Sequence, residues 1–344
     1  MVWTFFSSVQ GQVVPGLCFL CISLISVKRR KSFPLQMHQL IKKELTGCSK
    51  YREISTEKEI SKSDEKTVKK RGRPKGRKNF NRRDVELSPY MTVLQEKIRD
   101  VKSLISDSCV PKYFLFDGEL GNNFALQMVR QVNLHLICKL RYNSQLYLPW
   151  QGEYSGRGRK RIYGERLLPQ KISNEYLVHE TCEDGVLTEY FQIEARHKKF
   201  PDALNVVIIR KTSVSSGKTA HVILFSSDLA LGWDKVVDYY RLRFQIEFNF
   251  RDAKQYWGLE DFMVVKEAKV RNSACFSMFM VNMAYALIAQ NDGKVGRSMH
   301  DVKVWFLARK QVQETLKLCG ENAERIFINE LIDKISMKFM VNTS

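Results

Sequence analysis

Large apolar side chains recur along this chain in three patterns. Residues 2–9, VWTFFSSV, and 17–27, LCFLCISLISV, are β-branched and aromatic without a helical period, which predicts two strands. QGQVVPG between them, with two glycines and a proline, predicts their hairpin connection. In SFPLQMHQLIKKEL, Leu35, Met37, Leu40, Ile41 and Leu45 lie at roughly helical spacing and predict a helix. Apolar residues then thin out, and 48–85 reads as a charged linker or extended loop. Order resumes with a helix over Ser88–Ser108, whose apolar face is Tyr90, Val93, Leu94, Ile98, Val101 and Leu104.

Beyond it, Tyr113–Phe116 predicts a short buried strand with Asp117 at its carboxyl end. Gly118 and Gly121 bend the loop, Asn122–Asn133 predicts a helix and Leu134–Leu140 another strand. Strand, acid, turn, helix, strand is a βαβ unit, with the acid where open α/β sheets place their chemistry. Residues 141–235 alternate strand-like runs with turns and hold the basic loop SGRGRKRIYG at 155–164. The remainder reads as helical: one helix over Trp233–Tyr256, a strongly apolar one over Lys266–Gln290, and amphipathic ones near 299–318 and 321–338.

Charge narrows the function. A formal net charge of +19 over 344 residues points to a polyanionic partner, nucleic acid or an anionic membrane surface. No basic amphipathic helix accompanies the basic loops, so nucleic acid is the expected partner and a membrane is not. The eight cysteines have no even spacing, and Cys18-x2-Cys21 lacks a second pair at zinc spacing, which predicts reduced, buried thiols. The apolar run Val13–Val27 is followed rather than preceded by its basic cluster Lys28–Lys31, the wrong order for a signal peptide, and Ala274–Ala289 contains Asn282 and reads as a buried helix. These features predict a soluble, cytoplasmic protein.

Nine of the fifteen residues 69–83 are Lys or Arg. Within them Arg71-Gly72-Arg73-Pro74 looks like the core of an AT-hook, whose arginines enter the minor groove; the alternative is a disordered basic loop touching phosphates. In the helix expected at 233–256, Tyr240, Arg243, Glu247 and Lys254 fall near one stripe at about 100° per residue. An Arg243–Glu247 pair on a surface helix would account for two of them. Apolar residues on nearly all sides predict instead a buried helix, in which a glutamate must be paired or hold a metal.

Tyr240-x2-Arg243-x3-Glu247-x6-Lys254 resembles, type for type and gap for gap, the Y-R-E-K signature of insertion-sequence family 4 transposases of the DDE group. YFLFDGELGNN is similar to that family's second-aspartate segment, and the resemblance runs through most of residues 1–290. It implies a ribonuclease H-like α/β core, a mixed sheet with flanking helices, interrupted by a β-rich insertion. It also implies Asp117 and Glu247 as catalytic, metal-binding carboxylates for two Mg²⁺ or Mn²⁺ ions, and Arg243, Lys254 and Tyr240 as phosphate ligands. Arg71, Arg73, Arg157, Arg159, Lys160 and Arg161 would add contacts to double-stranded DNA, at element ends and target, with a homodimer on DNA. The expected segments are 1–47, early strands and a helix; 48–87, basic linker; 88–140, βαβ unit; 141–235, β-rich insertion returning to the core; 236–290, catalytic and core helices; 291–344, C-terminal helices. Trp233 and Trp257 flank the signature, as stacking platforms for a splayed base or as buried aromatics.

A DDE site needs a first aspartate at a strand end, and residues 1–63 contain none. The first two strands resemble the second and third of the fold, so the chain resembles an N-terminally truncated transposase, expected to bind DNA and cleave it poorly. A non-catalytic DNA-binding protein and a nuclease unrelated to transposition are the other readings. The six histidines show no ligand spacing, and Asp228 in FSSDLAL is expected to cap the following helix.

Overall fold

The structure, a computed structural model, describes residues 3–7, 10–41, 81–105, 109–154, 156, 158, 160–291, 295–318 and 325–339. In chain order the strands are β1 (Trp3–Ser7), β2 (Gln12–Gly16), β3 (Cys18–Ser26), β4 (Lys31–Leu40), β5 (Tyr113–Leu115), β6 (His135–Leu140), β7 (Leu146–Pro149), β8 (Tyr163–Leu167), β9 (Leu177–Glu183), β10 (Val186–His197), β11 (Ala203–Ser213) and β12 (Thr219–Ser226). The α-helices are α1 (Pro89–Leu104), α2 (Asn123–Arg130), α3 (Trp233–Leu242), α4 (Gln245–Trp257), α5 (Glu267–Gln290), α6 (Met299–Leu318) and α7 (Arg325–Lys338). The chain divides into two units, Ile41–Tyr240 with Met1, and Val2–Leu40 with Arg241–Ser344.

The first unit is a large mixed sheet with flanking helices, the α/β class expected. Its strands run in the order β5-β6-β12-β11-β10-β7-β8, with β9 also paired to β10. β5 and β6 pair in parallel, as a βαβ unit requires, and the other pairs are antiparallel. The strands expected between 141 and 235 extend this same sheet, and β12 returns beside β6. Ile137, Val207 and Leu224 pack with Val236 and Val237 of α3. α1 starts at Ser88, whose hydroxyl accepts from the Met91 N–H, and buries Leu94, Ile98 and Val101. Gln95 on that helix donates to the Met128 carbonyl of α2 at 3.2 Å, fastening the two together.

Ion pairs at two places brace this unit. Arg210 forks onto Glu189, its direct cross-strand neighbour, with both N···O distances 2.7 Å. Asp202, at the start of β11, accepts from Arg83 and from Arg130 at the end of α2. Burial pushes the Asp202 carboxyl up, but the two arginine hydrogen bonds outweigh it and hold it below the usual carboxylate range.

The second unit pairs β1 with β2 and β3 with β4, each as a two-stranded antiparallel sheet. Two sequence expectations fail here. Gln12–Gly16, expected as a connection, is itself a strand, because Val13 and Val14 suit the extended backbone and Pro15 needs no ladder donor at its place opposite Thr4. The turn falls earlier, where Gly11 takes φ 63°. Residues 32–40, expected as helix, form β4. A register shift between Ile22 and Ser23 of β3 lies opposite Pro34 and Gln36, so β4 buries Ser32 and Pro34 before it and Met37 and Gln39 after it. That phase change spaces the apolar residues like a helix and conceals the strand period.

α5 runs along β4: Cys275 donates to the Met37 carbonyl at 3.5 Å, and Asn282 to the Pro34 carbonyl at 2.6 Å. Ala274, Met278, Val281 and Ala284 of α5 join Met37, Ala253, Val295, Met299 and Val302 in this unit's core. Among the described residues, α5 is long and apolar enough, by length and composition, to cross a membrane. Arg309 of α6 pairs with Asp333 of α7. Cys18 and Cys21 are partly buried, and burial pushes the Cys21 thiol up to about 11.

Candidate active site

Asp117 follows β5 by two residues and is exposed at its carboxyl end. Its side chain accepts from the Glu119 N–H at 3.0 Å and caps the single turn Gly118–Leu120. The loop is pressed onto the end of β6. Cys138 donates its thiol to the Asp117 carbonyl, and a Cβ at Gly121 would lie 2.3 Å from the Lys139 carbonyl oxygen. Gly121 is therefore required for close approach rather than for a left-handed turn. Asn122 then accepts from the Ala125 N–H at 3.0 Å and opens α2.

A second set of residues sets the strand that carries Asp117; the sequence singled out Asp228 among them as a helix cap, but not its bond to Tyr113 or the amides of Gln192 and Asn205. Tyr113 of β5 donates to Asp228 at 2.9 Å, and burial together with that bond pushes its phenol up to about 12. Asp228 also accepts from the Ala230 N–H at 3.0 Å, so it caps a turn, whereas α3 begins only at Trp233. The turn is anchored from below: Gln192 and Asn205 both donate to the Leu231 carbonyl, at 2.9 and 2.7 Å, and Gln192 accepts from the Trp233 N–H. The only sequence signal was an amide in each of two apolar strands. Trp233 stacks on His179 at 5.1 Å and tilts against Tyr190 at 4.9 Å, the buried-aromatic arrangement.

The helix expected over 233–256 is broken. Phe244, Ile246 and Glu247 donate their N–H groups three residues back rather than four, so α3 ends at Leu242 and α4 begins at Gln245. The motif is therefore carried on two helices: Tyr240 lies on α3, Arg243 in the connecting turn, and Glu247 and Lys254 on α4. Arg243 and Glu247 keep their (i, i+4) contact, 3.4 Å, but the Glu247 side chain is 48% exposed, so the expected burial is wrong. α4 turns Asn249, Asp252 and Ala253 inward and Glu247 to solvent. Lys254 pairs with Glu260. Trp257 belongs to the apolar cluster of the second unit and helps line a groove of about 300 Å³ between α5 and α6.

Of the basic residues, Lys160 and Arg161 are exposed, and Arg161 stacks over Trp150 at 4.0 Å while donating to the Tyr163 carbonyl. Arg71, Arg73, Arg157 and Arg159 lie outside the described residues. No group of three or more His, Cys, Asp or Glu side chains that could hold a metal occurs among the described residues. Asp117 and Glu247 are each exposed carboxylates, the hard oxygen donors that Mg²⁺ and Mn²⁺ select, and in that respect fit a metal of this kind.

No curated protein matches the chain. The family profile described as DDE superfamily endonuclease matches residues 2–190, more than half of its length. That span takes in β1–β9 and the Asp117 loop and stops short of Glu247. A mixed sheet with flanking helices, carrying an acid at the end of its parallel strand, is consistent with the ribonuclease H-like fold of such nucleases. The chain belongs to the DDE superfamily endonucleases, and its coarse function is that of a transposase-like nuclease.

Proposed function

We propose that this protein acts in DNA transposition, as a metal-dependent endonuclease and strand-transfer enzyme of the insertion-sequence family 4 type working at the ends of its element. The observation that carries this reading is Asp117, an exposed carboxylate at the carboxyl end of the parallel strand β5, inside the span that the family profile covers. The Y-R-E-K spacing supports the finer assignment. Asp117 and Glu247 would hold Mg²⁺ or Mn²⁺, which supplies charge stabilisation and an activated hydroxyl for displacement at phosphorus. Arg243 exchanges Glu247, and Lys254 exchanges Glu260, for phosphates, the first as a fork and the second as a point charge. Tyr240 donates its hydroxyl to a phosphate. Lys160 and Arg161, with Arg157, Arg159, Arg71 and Arg73, grip the duplex backbone. The protein works in the cytoplasm on nucleoid DNA, as a homodimer on the element ends.

This polypeptide offers no aspartate in its first 63 residues for the first of the three carboxylates. It therefore binds duplex DNA and cleaves it weakly. The test is strand cleavage of a duplex bearing the element's own terminal repeats, with Mg²⁺ or Mn²⁺, by the full chain and by its Asp117→Ala and Glu247→Gln variants. Weak cleavage lost in both variants is expected, with duplex binding retained. Strong cleavage lost in both would overturn the impairment and keep the roles; cleavage unchanged in both would overturn the site. The second reading, a non-catalytic DNA-binding protein, is favoured by the same missing aspartate and is met if duplex binding occurs with no cleavage under any metal.

A further inference from the structure

The β3–β4 hairpin ends in a positive tip to which no role has been given. Its loop and first β4 residue read Val27-Lys28-Arg29-Arg30-Lys31, and all five are exposed. The tip is built as a fixed turn: Arg30 N–H closes on the Val27 carbonyl at 3.3 Å, and Arg29 N–H on the Ser26 hydroxyl at 3.3 Å. Arg30 takes φ 51°, the left-handed region that a hairpin loop normally gives to Gly or Asn. A turn selected for stability alone would not place an arginine there, and strain of this kind gathers at functional positions.

The tip is also fastened from behind. Lys31 lies over the Tyr285 ring of α5, 4.5 Å from its centre, and Phe33 meets the same ring edge-on at 5.9 Å. The acid whose charge reaches Tyr285, Asp252, is buried and bonded to Arg251, which is itself 61% exposed. The first 43 residues contain no Asp or Glu. Charged residues at hairpin ends also deter edge-to-edge aggregation, but that needs neither a left-handed arginine nor four cations in succession.

We propose that Lys28, Arg29 and Arg30 form a nucleic-acid clamp that grips consecutive phosphates of duplex DNA. A narrow β-ribbon with a cationic end is a form that enters or straddles a DNA groove. The inference rests on the DNA-acting reading above and adds a binding surface that the Y-R-E-K residues and the 155–164 loop do not supply.

Fluorescence anisotropy of the full chain on a labelled duplex of about 30 base pairs, from about 50 to 200 mM salt, tests it. The variant Lys28→Gln/Arg29→Gln/Arg30→Gln is expected to lose about tenfold in affinity, with a salt slope shallower by about two to three. Arg30→Gly, which relieves the turn, is expected to raise Tm while weakening binding and flattening the slope by about one. A wild type that does not bind duplex overturns the DNA-acting reading and this clamp with it. A wild type that binds, with a triple variant equal to it in affinity and slope, overturns the clamp alone. So do an Arg30→Gly that lowers both Tm and affinity, which would make Arg30 a packing residue, and a triple variant that loses only phosphatidylserine vesicles.

Discussion

Asp202 shows how one side chain can tie separate parts of a sheet unit together. It meets Arg83, just before α1, and Arg130, at the end of α2, while sitting at the start of β11. Its folded-state carboxyl lies below the ordinary value, so its contribution is complete above the unfolded pKa of about 3.9 and is lost as pH falls through the lower folded-state value. All three side chains are partly solvated, so the effect is small. Asp202→Asn should lower Tm by about 2 °C at neutral pH. Acid unfolding followed by circular dichroism should show the two curves separated above about pH 4 and merging below it. Curves that stay equally separated at pH 2 would mean that packing, not charge, is at work.

At the scale of elements, the loop carrying Asp117 depends on a glycine for clearance. Gly121→Ala places a methyl against the Lys139 carbonyl, so the loop must lift from β6, at a cost of about 1–3 kcal/mol. Denaturant midpoints would show that loss, and amide exchange should speed up at Gly118–Gly121 with little change in β10 and β11; unchanged exchange in the loop would contradict the clearance role. The βαβ unit itself was legible in the sequence because its signals are local: an apolar run, an acid, two glycines, then an amphipathic segment. β4 was not, since the register skips Leu35 between Ser23↔Pro34 and Ile22↔Gln36, and that extra residue shifts the strand's in–out alternation into an apolar spacing that looks helical. The break before α4 was hidden for a related reason. Arg243 and Phe244 are acceptable helix residues, and the shorter hydrogen bonds that end the helix belong to backbone geometry. The spacing of Tyr240, Arg243, Glu247 and Lys254 was therefore readable as a motif, while the break in the helix that carries it was not. The Gln192–Asn205 anchor escaped because strand amides ordinarily point to solvent.

For the whole molecule, the division into units cuts across the order of the chain. The second unit is assembled from the first forty residues and the last hundred or so, with the sheet unit between them in sequence. Met37 lies under α5, and a chain lacking residues 2–40 loses β4 and the floor on which Ala274 and Met278 pack. Such a chain should keep the β-sheet signature of the first unit in circular dichroism and lose the cooperative melting of α4–α6. Retention of a cooperative helical transition would show that those helices stand without the hairpins.

The pairing of β4 with α5 also sets a schedule for synthesis. Pro34 and Asn282 are bonded across 248 positions of sequence. At about 5–20 residues per second, the apolar hairpins emerge from the ribosome roughly 12–50 s before the helix that covers them. Over that interval the apolar residues of β3 and β4 have no helix to cover them, and an isolated two-stranded hairpin is at best marginally stable in water. Chaperone capture thus becomes an early event in the life of this chain, and its yield in cells will depend on how quickly translation reaches α5.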